Sequence, residues 1–334
     1  MRDIVADSIE RILAGSCPSE VVRAIEGGSR DQALWKELES SGFLDALVAE
    51  SAGGSGLSLA DASPLIEAAG RYAVPVPFAE TVVLRWLLAA AGAAPPSGSL
   101  TFGRAALAVA GGVSCANVPL GSVADWVLVA DGSQWALLPG SVAAQDVSGF
   151  ALGSTMTWRD SDWCDARRIS TTVDLQLAEA LVRALQLSGA LLVVLERTIA
   201  YASERKQFGK SIGKFQVIQH QITVMAEQVL AARMAAELAV ATPGQSLDPL
   251  RIAIAKARTS EAAAEVAALA HAIHGAIGFT IEFDLHLWTR RLHAWRQAAG
   301  SEGLWHDRVG TAVLEPRYVH SVDLLRRVSA PASA

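Results

Sequence analysis

Cysteine is scarce in this chain: Cys17, Cys115 and Cys164 are three among 334 residues, far apart and without a CxxC spacing. An odd, scattered set cannot build a disulfide framework, and no signal-like segment precedes it, so the thiols read as reduced and the protein as cytoplasmic. Charge is sparse too, at 19% Asp, Glu, Lys and Arg against 51% hydrophobic residues. A surface so lean in charge predicts buried helices or subunit interfaces. Net charge is −6 and Lys and Arg never cluster, which excludes nucleic acid as a partner. Long apolar runs are missing: Trp86 to Ala94 and Leu185 to Leu195 each reach about half of the roughly twenty residues that span a bilayer, so no membrane partner is expected. Phosphate-loop wording is absent as well. The run Gly53 to Gly56 lacks a following Lys-Ser/Thr, and Gly111-Gly112 develops no G-x-G-x-x-G, so neither a P-loop nor a Rossmann site is supported. His271 and His274 are three apart, with His286 and His293 beyond, but no cysteine or acidic residue has ligand spacing to them and no metal is expected.

What is present is mostly helix. The length suffices for two or three domains. From Asp3 to about Arg71 apolar positions such as Ile9, Ile12 and Leu13 share one face, with a break at Gly53, Gly54 and Gly56. Pro75-Val76-Pro77 cannot continue a helix, and a further helix is expected over about Glu80 to Ala91. After Pro95-Pro96 the sequence changes to short apolar runs, Ala106 to Val109 and Trp126 to Val129, separated by Gly, Ser, Asp and Asn. From Val173 onward alanine, leucine and long polar residues predict long helices. Breaks at Gly209 to Gly213, Pro243-Gly244 and Gly275 to Gly278 divide them into at least four, the pattern of a bundle without a fixed repeat. The expected architecture is mainly α with a small β domain. Residues 1–94 form an N-terminal helical domain, 95–171 a shortened middle β domain, and 172–330 a C-terminal four-helix bundle.

Four stretches carry a resemblance. Tyr201-Ala202-Ser203-Glu204-Arg205-Lys206-Gln207-Phe208-Gly209-Lys210, continuing to Phe215-Gln216-Val217-Ile218-Gln219, resembles the bundle signature of the acyl-CoA dehydrogenase family. His274 to Thr280, followed by Glu282, Leu285, His286, Arg290 and Arg291, is similar to that family's second bundle signature. Ala52 to Leu57 with Glu67, Gly70 and Arg71 is similar to its helical-domain turn, and Ala124 to Ala130 to one of its strands. The resemblance covers nearly the whole chain and is weakest between Ser97 and Ser170. It implies FAD at a subunit interface, with the dinucleotide half reaching a neighbouring bundle. Arg205 is then the diphosphate contact, since a guanidinium offers paired donors and stays charged. Phe208 offers an apolar face, Gln207 and Gln216 offer amides, and Gly275 and Gly278 let backbone approach the cofactor.

The implied reaction is α,β-dehydrogenation of an acyl-CoA thioester, which needs a desolvated carboxylate at the α-carbon. Many members carry it in a Glu-Gly-Thr stretch; here the equivalent is Ala299-Gly300-Ser301. A branch resembling isovaleryl-CoA dehydrogenase places it on the first bundle helix instead, twenty-six residues before the signature arginine, and that position is Glu179. Arg183, four residues on, makes a surface ion pair the alternative reading of Glu179; Glu302 is the second carboxylate considered. The family's Thr-Glu-Pro, Gly-Ser-Asp and Trp-Ile-Thr/Ser stretches, which clasp the flavin ring and thioester, are not found, and Ala180, Leu177 and Ala272 replace its usual Arg, Asp and Gln.

Two assemblies stay open: a homodimer or homotetramer active by itself, and an α2β2 heterotetramer of unequal dehydrogenase subunits like those of steroid side-chain catabolism. In the latter this chain completes its partner's FAD site and is itself catalytically idle. An electron-transferring flavoprotein is the implied acceptor. A helical scaffold without cofactor, and a flavin monooxygenase or oxidase on the same fold, are the readings from other classes.

Overall fold

A computed structural model describes residues 1–29, 32–104, 107–109, 111–131, 134–147, 153–242, 245–315 and 320–329. Ala106 and the Pro243-Gly244 break lie outside the described residues. The chain opens with helices α1 (Arg2–Ser16), α2 (Ser19–Glu26), α3 (Ala33–Ser40), α4 (Leu59–Arg71) and α5 (Phe78–Ala90). Strands β1 (Leu100–Gly103), β2 (Leu107–Val109), β3 (Gly112–Val118), β4 (Trp126–Asp131), β5 (Gln134–Pro139), β6 (Ala144–Val147) and β7 (Ser154–Arg159) follow. A short helix α6 (Asp160–Cys164) leads to β8 (Arg167–Ser170). Then come α7 (Leu175–Glu204), the paired β9 (Lys206–Gln207) and β10 (Lys210–Ser211), α8 (Gln216–Val240), α9 (Pro249–His274), α10 (Leu285–Gln297), α11 (Glu302–Val313) and α12 (Ser321–Ser329). The protein is mainly helical with small sheets, as the sequence predicts.

The chain divides into two compact units. The first comprises Met1–Ile66 and Val74–Val182. Its α1 buries Val5, Ile9 and Leu13, the i, i+4 stripe of an amphipathic helix. The glycine break after it is steric at Gly54, where a Cβ would stand 2.2 Å from the Val48 carbonyl oxygen. Helix α5 starts directly after Pro77 and is buried almost all round. Thr81 ties it to the first strand, its hydroxyl accepting from Leu100 N–H at 2.9 Å. The β region forms two four-stranded sheets, ordered β1-β4-β5-β8 and β2-β3-β7-β6. Among the described residues of these two sheets only the β1–β4 pairing is parallel. Cys115, Val118, Val127, Val129, Leu138, Met156 and Trp158 form its core. The Asp125-Trp126 wording marks a lock at the start of β4. The Asp125 carboxylate accepts from both Ser99 N–H and Ser99 Oγ at 2.8 Å, and the Trp126 indole donates to Ser97 O at 3.0 Å.

The second unit comprises Glu67–Ala73 and Arg183–Ala334. Its helices meet through small residues. A Cβ at Gly70 would stand 2.0 Å from the Gln186 carbonyl oxygen, and one at Gly189 2.0 Å from that of Glu67. The last turn of α4 therefore lies backbone to backbone on α7. Trp288 of α10 donates from its indole to Arg71 O at 2.8 Å and carries the Arg197 guanidinium 4.2 Å above its ring. Helix α9 begins with Asp248 accepting from Leu250 and Arg251 N–H at 3.0 and 3.1 Å, with Pro249 in the first turn, the expected N-terminal chemistry. Its alanines pack against α8, α10 and α11.

The Leu185 to Leu195 run proves to be part of a much longer helix. By length and composition α7 and Pro249–Phe279 could each cross a membrane, but 94% of the apolar window of α7 is buried within the protein, against 44% for the other. The first is a core helix.

The glycine contacts generate a pair of opposite effects. Gly189→Ala forces a methyl into the Glu67 backbone, and overpacking of this kind destabilises by about 1–3 kcal/mol or more. Gly310, inside α11, has nothing within 4 Å of its would-be Cβ, so Gly310→Ala adds about 0.5–1 kcal/mol of helix stability. Urea midpoints of the two variants are expected to move in opposite directions from the parent.

Candidate functional site

Helix α7 ends at Glu204, and the Arg205 N–H still closes the last turn by donating to Tyr201 O at 2.9 Å. The signature wording then forms a tight hairpin rather than helix. Lys206 pairs with Ser211 and Gln207 with Lys210, leaving Phe208-Gly209 as a two-residue turn with φ of +51° and +79°. Two positive φ values make the type I′ turn that suits strand twist. Glycine takes the second without strain, but Phe208 occupies a left-handed conformation that costs roughly 1–2 kcal/mol. It also holds its ring 91% exposed. Phe215 supports the hairpin from behind: Phe208 meets it edge-on at 6.2 Å and the Lys210 ammonium lies 4.3 Å over its ring.

The facing wall is the end of α9. Gly275 stops the helix at φ +65°, ψ −145°, a conformation essentially restricted to glycine, and no atom lies within 4 Å of its would-be Cβ. Between hairpin and helix end runs a groove of about 540 Å³, lined by Arg205, Gln207, Phe208, Tyr201, His274 and Gly275 among others. Four of the residues expected from the sequence, Arg205, Gln207, Phe208 and Gly275, are thus brought together. Gln216, exposed at the first turn of α8, and Gly278 do not line the groove. Gly278 is buried, and a Cβ there would come 3.0 Å from His274 Cβ and 3.3 Å from Leu285 Cδ2, so glycine is needed for packing inside the chain. Among the described residues no carboxylate pairs with the Arg205 guanidinium.

Sequence reasoning did not name Tyr201 or His274 as site residues. Their rings stack at 4.3 Å with 22° between planes, and Phe283 closes on both at 5.9 and 5.1 Å. His274 heads the second bundle signature and Tyr201 opens the stretch that carries Arg205, but at 73 residues apart no local spacing in the sequence joins them. Burial pushes the His274 imidazole below its ordinary range, opposed by its bond to the Ala270 carbonyl. His271, stacked on Phe279 at 4.3 Å and 3.0 Å from the Thr289 hydroxyl through Nε2, is pushed down by burial and by the positive charge that His274 and His293 can carry.

Glu179 is buried, 4% exposed, on the stretch of α7 counted with the first unit, and is not among the residues lining the groove. Glu302, the other carboxylate considered, is engaged. Arg296 Nε donates to it at 3.0 Å, and this bond holds its carboxyl below the usual range, the wrong direction for a proton acceptor. The loop Ala299-Gly300 is locked from within the bundle. Fully buried Lys256 donates to Ser260 Oγ, Arg296 O and Gly300 O at 2.8, 2.9 and 3.1 Å. The Trp305 indole donates to Ala299 O at 3.2 Å.

The lowered histidines fix a pH dependence. Unfolded, each titrates near 6.5; folded, each titrates lower. Below 6.5 the unfolded chain therefore binds more protons, so stability declines as pH falls through that window and levels off once the folded value is passed. Melting temperatures measured from neutral to acid pH are expected to fall less steeply in His274→Gln than in the parent.

Comparison with known proteins accords with this geometry. Residues 176–314 match the family described as Acyl-CoA dehydrogenase, C-terminal domain. Acyl-CoA dehydrogenase IpdE2 of Mycolicibacterium smegmatis is 29% identical over 90% of this chain and 94% of its own length. The Tcur3481-Tcur3483 steroid ACAD superposes with a TM-score of 0.81 at 23% identity, covering 94% of this chain and 98% of that one. A chain of the ChsE4-ChsE5 complex from Mycobacterium tuberculosis gives 0.75 at 21% identity, covering 94% and 97%. The hairpin carrying Arg205, the helix end at Gly275 and these likenesses lead to one conclusion: residues 176–314 form an acyl-CoA dehydrogenase C-terminal domain.

Proposed function

We propose that the chain is a subunit of an FAD-dependent acyl-CoA dehydrogenase and that its Arg205 groove holds the dinucleotide half of an FAD shared with another subunit. The observation that carries this reading is the groove itself. A guanidinium without a carboxylate partner, an amide and exposed aromatic faces stand around a glycine that leaves room for backbone approach. That donor set fits a diphosphate and a flat base. The sequence stretches that clasp ring and thioester in the family are missing here, which supports an arrangement in which a partner chain holds the ring and the substrate.

Bound there, FAD supplies the hydride acceptor for α,β-dehydrogenation of a CoA thioester. Arg205 binds and orients the diphosphate by paired N–H donors, and Gln207 adds an amide. Phe208 and Phe215 shield the charge pair from water, which strengthens it. Phe208 stays exposed until another chain covers it, and this favours an assembly over a monomer. The relatives support an assembly of unequal subunits, since ChsE4-ChsE5 is a complex of two proteins, and the steroid ACAD likeness supports a steroid-derived or fatty acyl-CoA substrate. An electron-transferring flavoprotein is the proposed acceptor of the electrons. Glu179 is the proposed base, a buried carboxylate at the first-bundle-helix position that the resemblance implies. A homomeric enzyme uses it; in the α2β2 arrangement it stands idle while the partner's base works.

Visible spectra decide the assembly. The chain purified alone is expected to be colourless and to take up FAD with an acyl-CoA dehydrogenase partner; bound yellow flavin in the isolated chain would favour the homomer instead. Arg205→Gln removes charge-assisted bonds of about 1.5–3 kcal/mol and is expected to lower flavin affinity about 10- to 150-fold. For a flavin-loaded enzyme, Glu179→Gln separates the roles: turnover unchanged in that variant excludes it as the base.

A further inference from the structure

Helix α8 keeps a face that the rest of its chain leaves exposed. Gln216, His220, Thr223, Glu227, Leu230 and Met234 are all exposed, and they recur in alternating steps of four and three residues. Such alternation has the seam spacing by which one helix lies along another. A helix face that meets only water is expected to be polar throughout. Here Met234 is 71% and Leu230 58% exposed, and Val217 stands beside the seam at 70%. The exposed surface runs on to the neighbouring α9, joined to α8 where the Arg258 guanidinium donates to Gln228. The apolar window of Pro249–Phe279 is only 44% buried within the chain, and Ala268 and Ala272 on its exposed side allow a close approach.

We propose that this face pairs with the same face of a second copy of the chain, the two α8 helices running antiparallel about a two-fold axis beside Thr223. The charges select both the occupant and the direction. Lys210 and Lys214 are exposed just before the helix, and Glu227 and Glu237 are exposed in its second half. Arg233, the cation of that half, is partly buried and stands beside the seam. Parallel copies would set acid on acid and cation on cation. Antiparallel copies set the acidic half of each helix over the basic start of the other, so one surface answers itself, as a two-fold contact requires. With the axis between Thr223 and Val224, Glu227 faces His220 of the copy and Leu230 faces its Val217, each pair occurring twice. The contact is separate from the Arg205 groove. It suits either assembly, since a homodimer, a homotetramer and an α2β2 heterotetramer each contain at least two copies of this chain.

Sedimentation of the full chain by itself tests the pairing, and a reversible dimer is expected. His220→Glu sets like charges face to face twice and is expected to raise the dimer Kd about tenfold. Glu227→Lys added to it is expected to restore the parental Kd, because both repulsions become ion pairs. On their own helix the two positions are two turns, about 10 Å, apart, so rescue comes only across the contact. Direction is read by cross-linking in a Cys164→Ser background. Thr223→Cys, next to the axis, is expected to oxidise to a linked dimer, and Met234→Cys, about 30 Å from its own copy, is expected to stay unlinked. All the substituted side chains are exposed, and circular dichroism checks that each variant folds. A parent that stays monomeric alone, including one that assembles only with an unlike dehydrogenase subunit, overturns the proposal. So does a dimer indifferent to His220→Glu, a defect that Glu227→Lys leaves uncorrected, or a Met234→Cys variant that links as readily as Thr223→Cys. None of these outcomes bears on the dinucleotide reading, which the flavin spectra test separately.

Discussion

The helical unit depends on two places where no side chain is allowed. At Gly70 and Gly189 the last turn of α4 and the middle of α7 touch carbonyl to Cα, closer than any Cβ permits. That contact fixes the roll and height of α7, and α7 ends where Arg205 begins. The groove is thus set from far along one helix. A rigid rod of 30 residues transmits the placement without needing a contact near the site, since a helix bends only gently unless Pro or an inserted group breaks its ladder.

The opposite wall is placed by a different device. Helix α9 is alanine-rich, which lets α8, α10 and α11 approach it closely, and its fully buried Lys256 spends its donors on Ser260 and on carbonyls of Arg296 and Gly300. A buried ammonium is tolerated only when such acceptors replace water. It gathers the end of α10 and the Ala299-Gly300 loop to α9, so that the groove wall, the helix below it and the loop form one packed body. Gly275 then ends α9 in a conformation open to glycine alone, and the chain turns away to leave the room that the groove occupies.

Much of this was legible in the residues. The order of helices, strands and helices, the break after Pro77 and the strand from Trp126 follow from period, proline and β-branched content. The Arg205 cluster was legible as wording, and its members do converge apart from Gln216 and Gly278. What could not be read was tertiary. A two-residue hairpin in the middle of helical sequence has too little length to show a period-2 pattern, and Phe208 at a left-handed position runs against its own propensity. The Tyr201–His274 stack joins residues 73 apart, a pairing no local pattern contains. Gly278 looked like a ligand-facing glycine and is instead a packing glycine, a distinction that depends on where Leu285 returns. Glu302 offered a carboxylate by spacing, but Arg296, six residues before it, claims it.

The hairpin also restricts how this stretch of gene can vary. With Gln207 opposite Lys210 across a two-residue tip, inserting or deleting one codon between them shifts pairing by one position and turns alternate side chains to the other face. Gln207 would swing out of the groove as Lys206 swung in, exchanging a neutral amide for an ammonium without any substitution at either site. Length, more than composition, is what this corner demands.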